Sequence, residues 1–167
     1  MTSKTTNPKD MVGVRKAPMS TVPANVLAEL GVAMLEGSLK YGRHNYRAAG
    51  VRSSVYYDGT MRHMMAWWEG EDIDPDSGVS HITKAIASLV VFRDAMQRGM
   101  VNDDRPPKTE NFYADLNTRS AELIDRYGDR NPVHYTQELM TTKSNIELAG
   151  LGDDAVALTF GELHESK

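Results

Sequence analysis

The chain has 167 residues and no cysteine. That absence excludes a disulfide framework, a thiolate metal centre and a cysteine nucleophile. A basic excess is also missing. Nineteen Lys and Arg stand against 23 Asp and Glu, a formal net charge of -4, so no general affinity for nucleic acid is expected. No apolar run approaches the roughly 18 residues that a membrane helix needs. The opening stretch MTSKTTNPKDMVGVRKAP lacks the apolar segment of a secretory signal, and a cytoplasmic protein is expected. GxxxxGK[ST] and GxGxxG are absent, which leaves a P-loop or Rossmann phosphate site without support. HExxH and GxSxG are absent as well. His63 is followed by Met64, so the HD pair of HD-type phosphohydrolases is not present there.

What remains is an ordinary globular composition, 40% apolar and 25% charged, enough for one well-buried core. The first 23 residues, with proline and small polar residues, read as an irregular arm. DDRPPKTEN, residues 103–111, reads as a boundary, so a core over 24–105 and an accessory segment over 106–167 are expected. Within the core, 3.6-residue periodicity predicts helices over about 24–40, 55–69 and 78–98. The first opens near Pro23, and Asp76 or Ser77 is the natural cap of the third, with Gly99 just past its end. The first and third are apolar over most of their circumference. Each keeps one thin polar stripe: Glu29, Glu36 and Lys40 on the first, His81, Lys84 and Ser88 on the third. Ordinary surface helices are polar over about half their surface. The stripes are therefore expected either to face one another or a ligand, or to lie exposed with a Glu36–Lys40 pair. TRSAELIDRYG, residues 118–128, predicts a further amphipathic helix ending at Gly128, and VALTFGELHESK, residues 156–167, reads as a polar terminal stretch.

Charge is segregated around the second helix. Lys40, Arg43, Arg47, Arg52 and Arg62 precede or enter it against Asp58 alone, whereas Glu69, Glu71, Asp72, Asp74 and Asp76 follow it with no base among them. Lysine and arginine supply charge-assisted donors to phosphate. Carboxylates suit hard divalent ions. A metal-bound nucleoside triphosphate would need both, although charged loops are more often simply solvated. The loop KYGRHNYR, residues 40–47, crowds cationic, amide and aromatic groups into eight positions, which suits a phosphate partner or a subunit interface. His63 and His81 read as hydrogen-bonded core residues or as ligands. Trp67 and Trp68 read as core, or as a platform for a base.

The sequence NPKD…GVRKAPMSTVPANVLAELGVAMLEGSLKYGRHNYR, followed by RHMMAWWEGEDIDPDSGVSHITKA, resembles the phage dATP/dGTP diphosphohydrolases, which are MazG-like all-α nucleotide pyrophosphohydrolases. The resemblance covers residue 7 to about residue 107. It implies an all-α, MazG-like helical bundle that is oligomeric, a dimer or tetramer, with an irregular N-terminal arm and a C-terminal helical extension. It also implies a purine deoxynucleoside triphosphate substrate, dGTP ahead of dATP, cleaved to the monophosphate and pyrophosphate with Mg²⁺, Mn²⁺ or Co²⁺. In phages that replace adenine with 2-aminoadenine, such an enzyme feeds dGMP into synthesis of the modified nucleotide. The location would then be the host cytoplasm.

On that resemblance the expected metal ligands are Glu36, Glu71 and Asp74, with Glu29 and His81 as further candidates. Lys40, Arg43, His44, Asn45 and Arg62 would bind phosphates or sugar, and Trp67 the base. His63, with Glu36 and Glu71 the expected catalytic set, would orient water or neutralise the leaving pyrophosphate. One departure stands out: the wider MazG superfamily carries ExxE and ExxD on successive helices, whereas the third helix here offers His81 and Lys84. That departure favours the alternative, a non-catalytic nucleotide-binding or interaction protein of the same fold.

Overall fold

The computed structural model describes residues 7–13 and 15–148, which form an all-α protein with one minimal pair of strands. The chain divides into two compact units, Met1–Pro107 and Lys108–Lys167.

The first unit begins with α1 (Pro8–Gly13) and a 3-10 turn (Met19–Thr21), so the arm expected to be irregular carries local helical structure. α2 (Ala24–Tyr41) starts where Pro23, with φ near -60°, accepts the Leu27 N–H. It stops at Gly42, whose φ of +89° ends the helical path. After the short α3 (Tyr46–Ala49), β1 (Val51–Arg52) leads into α4 (Ser53–Trp68). α5 (His81–Gln97) follows a folded turn, and β2 (Val101–Asn102) pairs in parallel with β1, Val51 opposite Val101.

α4 and α5 run antiparallel: His63 meets His81 near the turn, while Tyr56 stacks on Phe92 at the far end. The cap of α5 is Ser80, whose hydroxyl accepts the Ile82 N–H, and not Asp76 or Ser77. The reason is that 76 and 77 are committed to the turn before it. The Asp76 N–H and Ser77 hydroxyl bond the Asp74 carboxylate, and Ile73 bridges Ser80 across the loop. At the other end of α5, Met100 N–H returns to the Ala95 carbonyl and Gly99 N–H to Met96, with Gly99 at φ +67°. This is a Schellman-type closure.

The core is small. Tyr46, Val51 and the fully buried Ala95 form its centre, with Met34, Tyr56, Val91, Phe92, Met100 and Val101 around them. The apolar surface of α2 is only partly covered: Leu35 is 51% and Leu39 79% exposed. α2 therefore does not bury most of its apolar circumference in a single chain, whereas most positions of α5 are buried or half-buried. The second unit contains α6 (Phe112–Arg126) and α7 (Gln137–Leu148). α6 begins six residues before the expected 118 because Asn111, in the left-handed region, opens it. Residues 156–167 lie outside the described residues.

Candidate active-site cleft

The end of α2 and the loop after it form one wall of a cleft of about 580 Å³. Lys40, Arg43, His44 and Asn45 line this wall, the first half of α5 contributes Lys84 and Ser88, and Tyr41, Tyr46 and Tyr56 supply aromatic surface. The loop is shaped by its backbone. Gly42 has positive φ, and His44 adopts φ +59°, which a non-glycine residue holds only where its surroundings impose it. His44 Nδ1 lies 3.2 Å from the Tyr46 hydroxyl, and Tyr46 is anchored in the core.

On the cleft surface the polar stripes of α2 and α5 meet. Glu36 Oε1 accepts from Lys40 Nζ at 2.5 Å, and Glu36 Oε2 accepts from Lys84 across the helix pair. Hydrogen bonds from Lys40 and then Lys84 hold the Glu36 carboxyl below its ordinary value, since both stabilise the anion. Lys84 Nζ also stands 3.6 Å from Asp74 Oδ2. Asp74, only 8% exposed, is the one acid of the 69–76 loop turned inward. Burial pushes its carboxyl up, but the Asp76 N–H, the Ser77 hydroxyl and the Lys84 charge outweigh burial and hold it low. Lys84 thus ties α2, α5 and the acidic turn together.

Beyond Lys84 lies a histidine pair. His63 Nδ1 and His81 Nδ1 are 2.8 Å apart, and His81 is 5% exposed. Burial first, and then the neighbouring His81, keep the His63 imidazole below its ordinary value. Glu71 Oε2 approaches His81 Nε2 to 3.4 Å, yet Nε2 has no hydrogen-bond partner. Proximity without alignment is the sense of those two facts: the carboxylate is near, but not in line with the ring nitrogen.

The expected site residues therefore separate into groups. Lys40, Arg43, His44, Asn45 and Glu36 line the cleft, and His63, Glu71, Asp74 and His81 gather beyond Lys84. Glu29 lies two helical turns from Glu36, is exposed, and forms no ion pair among the described residues. Arg62 is exposed and does not line the cleft. Trp67 does not line it either and packs beside Trp68. Tyr41 and Tyr46 belong to the donor-rich loop singled out in the sequence, whereas Tyr56 on α4 carried no such signal. Lys84 and Ser88 carry no expected role, although the polar stripe of the third helix was their available signal.

The fit of a divalent ion can be tested on these contacts. Among the described residues, no group of three or more His, Asp or Glu side chains is placed to hold a metal. Both oxygens of Glu36 bond ammonium groups, and both oxygens of Asp74 bond protein donors. These two carboxylates do not fit a metal ion. The donors left open are the unpartnered, buried His81 Nε2 and the half-exposed Glu71 carboxylate beside it.

Fold and cleft define an all-α protein with a cation-rich, aromatic-sided cleft. The chain belongs to the dATP/dGTP diphosphohydrolase N-terminal family, whose model matches residues 6–105. It is 26% identical over 99 residues to the dATP/dGTP diphosphohydrolase of Salmonella phage PMBT28, a match covering 57% of this chain and 33% of that protein. The chain thus matches about a third of the length of that curated relative. No solved structure matches the chain. No helix of the described residues is long and apolar enough to cross a membrane.

Proposed function

We propose that the protein is a diphosphohydrolase that converts purine deoxynucleoside triphosphates, dGTP ahead of dATP, to the monophosphate and pyrophosphate. The observation that carries this reading is the cleft formed by Lys40, Arg43, His44 and Asn45 against Lys84, all within the stretch matched by the family model. The names of the family and of its phage relative supply the reaction class.

In this reading Lys40, Arg43 and Asn45 bind the phosphate chain by charge-assisted hydrogen bonds. The tyrosines at the cleft wall receive the base in place of the expected Trp67. Water attacks the α-phosphorus, the bond from that phosphorus to the bridging oxygen of the β-phosphate breaks, and pyrophosphate leaves. The proton lost by the water passes to a neighbouring base, for which His63 and Glu71 are the candidates. Glu71 and His81 would hold a divalent ion, Mg²⁺, Mn²⁺ or Co²⁺. When bound, such an ion would polarise phosphoryl oxygens and screen their charge. Exposed apolar positions on α2, Leu35 and Leu39 among them, support assembly into a dimer or tetramer. In a phage that replaces adenine with 2-aminoadenine, the dGMP released would feed the modified nucleotide in the host cytoplasm.

A second reading has its own observation. Every oxygen of Glu36 and Asp74 already accepts from a protein donor, which favours a protein that binds nucleotides without hydrolysing them. Incubation with each deoxynucleoside triphosphate and each of the three metals separates the two. Monophosphate plus pyrophosphate supports the diphosphohydrolase, and tripolyphosphate plus nucleoside would assign a triphosphohydrolase instead. Tight binding with no turnover under any metal would establish the second reading.

A further inference from the structure

We infer that Lys84 is a built-in cation occupying the position between Glu36 and Asp74 that a divalent ion would otherwise take. Its ammonium is largely enclosed, with 17% of the side chain exposed, and it lies against carboxylates from two separate elements, α2 and the acidic turn. A metal ion binds carboxylate oxygen at about 2.0–2.6 Å, and at this point it would meet oxygens already facing an ammonium of like charge. Here Glu36 gives one oxygen to Lys84 and the other to Lys40, while Asp74 also spends its oxygens on the Asp76 N–H and the Ser77 hydroxyl. A divalent ion at that point would have to displace a lysine, strip the Asp74 turn and stand beside the displaced ammonium. The lysine does the electrostatic part of the same task. Its single positive charge offsets part of the repulsion between two acids brought together by folding, with Lys40 adding a second charge at Glu36, and it stays fixed in the cleft as a donor toward an anion. These contacts are independent of what the cleft binds or turns over.

Mn²⁺, titrated without nucleotide and followed by the electron paramagnetic resonance of the free ion, tests this directly. The wild-type protein and Glu36→Gln are expected to bind Mn²⁺ with affinities within about twofold of each other, because Glu36 faces lysines and not the ion. Lys84→Met should bind at least about tenfold more tightly than wild type, and Glu36→Gln added to Lys84→Met should remove the gain. Lys84→Arg, which keeps the cation, should show no gain. A severalfold loss of Mn²⁺ affinity in Glu36→Gln would overturn the inference, as would a folded Lys84→Met with no gain, with circular dichroism reporting the fold. If Lys84→Met does not fold, the comparison of wild type with Glu36→Gln decides alone.

Discussion

His63 and His81 face each other Nδ1 to Nδ1 across 2.8 Å, joining the end of α4 to the start of α5. One proton fits between two such nitrogens, so one ring donates and the other accepts. The pair therefore couples the protonation of the two rings, and His81 Nε2 lies 3.4 Å from Glu71 Oε2. Nitrogen-15 spectra of the imidazoles at neutral pH should show one protonated and one bare Nδ1. Two protonated Nδ1 atoms would contradict the pairing.

Nucleotide affinity should follow the cleft wall. Arg43→Ala and Lys40→Ala are each expected to weaken dGTP binding by roughly tenfold, the usual weight of a hydrogen bond to a charged group. Trp67→Ala, outside the cleft, should stay within about twofold. Isothermal titration at two salt concentrations checks this, because contacts made by Lys40 and Arg43 should weaken as salt rises. A larger loss for Trp67→Ala than for Arg43→Ala would move the base site out of the cleft.

Gly50 should tolerate no side chain. It has φ +75°, and a Cβ there would lie 2.9 Å from the Met100 carbonyl oxygen, which accepts the Val51 N–H. Gly50→Ala combines left-handed strain with a backbone clash. It is expected to cost about 2 kcal/mol or more in urea unfolding. Gly37→Ala, where nothing lies near the new methyl, provides the control.

Acid should loosen the attachment of α3 to α5. Arg47 grips Asp94 with two hydrogen bonds, at 2.9 and 2.7 Å, and this contact first of all holds the Asp94 carboxyl below its ordinary value. A carboxyl with a lowered folded-state value adds stability above its unfolded value, near 3.8, and loses it as pH falls further. Thermal melts between pH 7 and pH 2 should show a steeper loss below about pH 4 in wild type than in Arg47→Met. Parallel pH profiles would remove the pair from the account.

Much of the scaffold was legible in the chain because its signals are local. Pro23 and Gly42 bracket α2, Gly99 closes α5, and KYGRHNYR announces a dense donor loop by composition alone. The start of α5 was less legible, because Asp74 draws the Asp76 N–H and the Ser77 hydroxyl into its own turn before Ser80 can cap the helix. The cap of α4 has no local signal either. Asp104, fifty residues along the chain, accepts both the N–H and the hydroxyl of Ser54, next to the paired β1 and β2.

By itself the sequence determined that the protein is helical, that cationic and acidic groups flank one helix, and that two apolar helices carry thin polar stripes. Periodicity, turn residues and composition act within a few residues of the chain, so they are readable there. Only the tertiary structure decided which acids are free. Glu36 and Asp74 are spoken for because Lys84 reaches both across elements 48 and 10 residues away in sequence, whereas Glu71 is left half-exposed beside His81. A lysine's partners are set by where helices cross, and spacing along the chain carries no record of that.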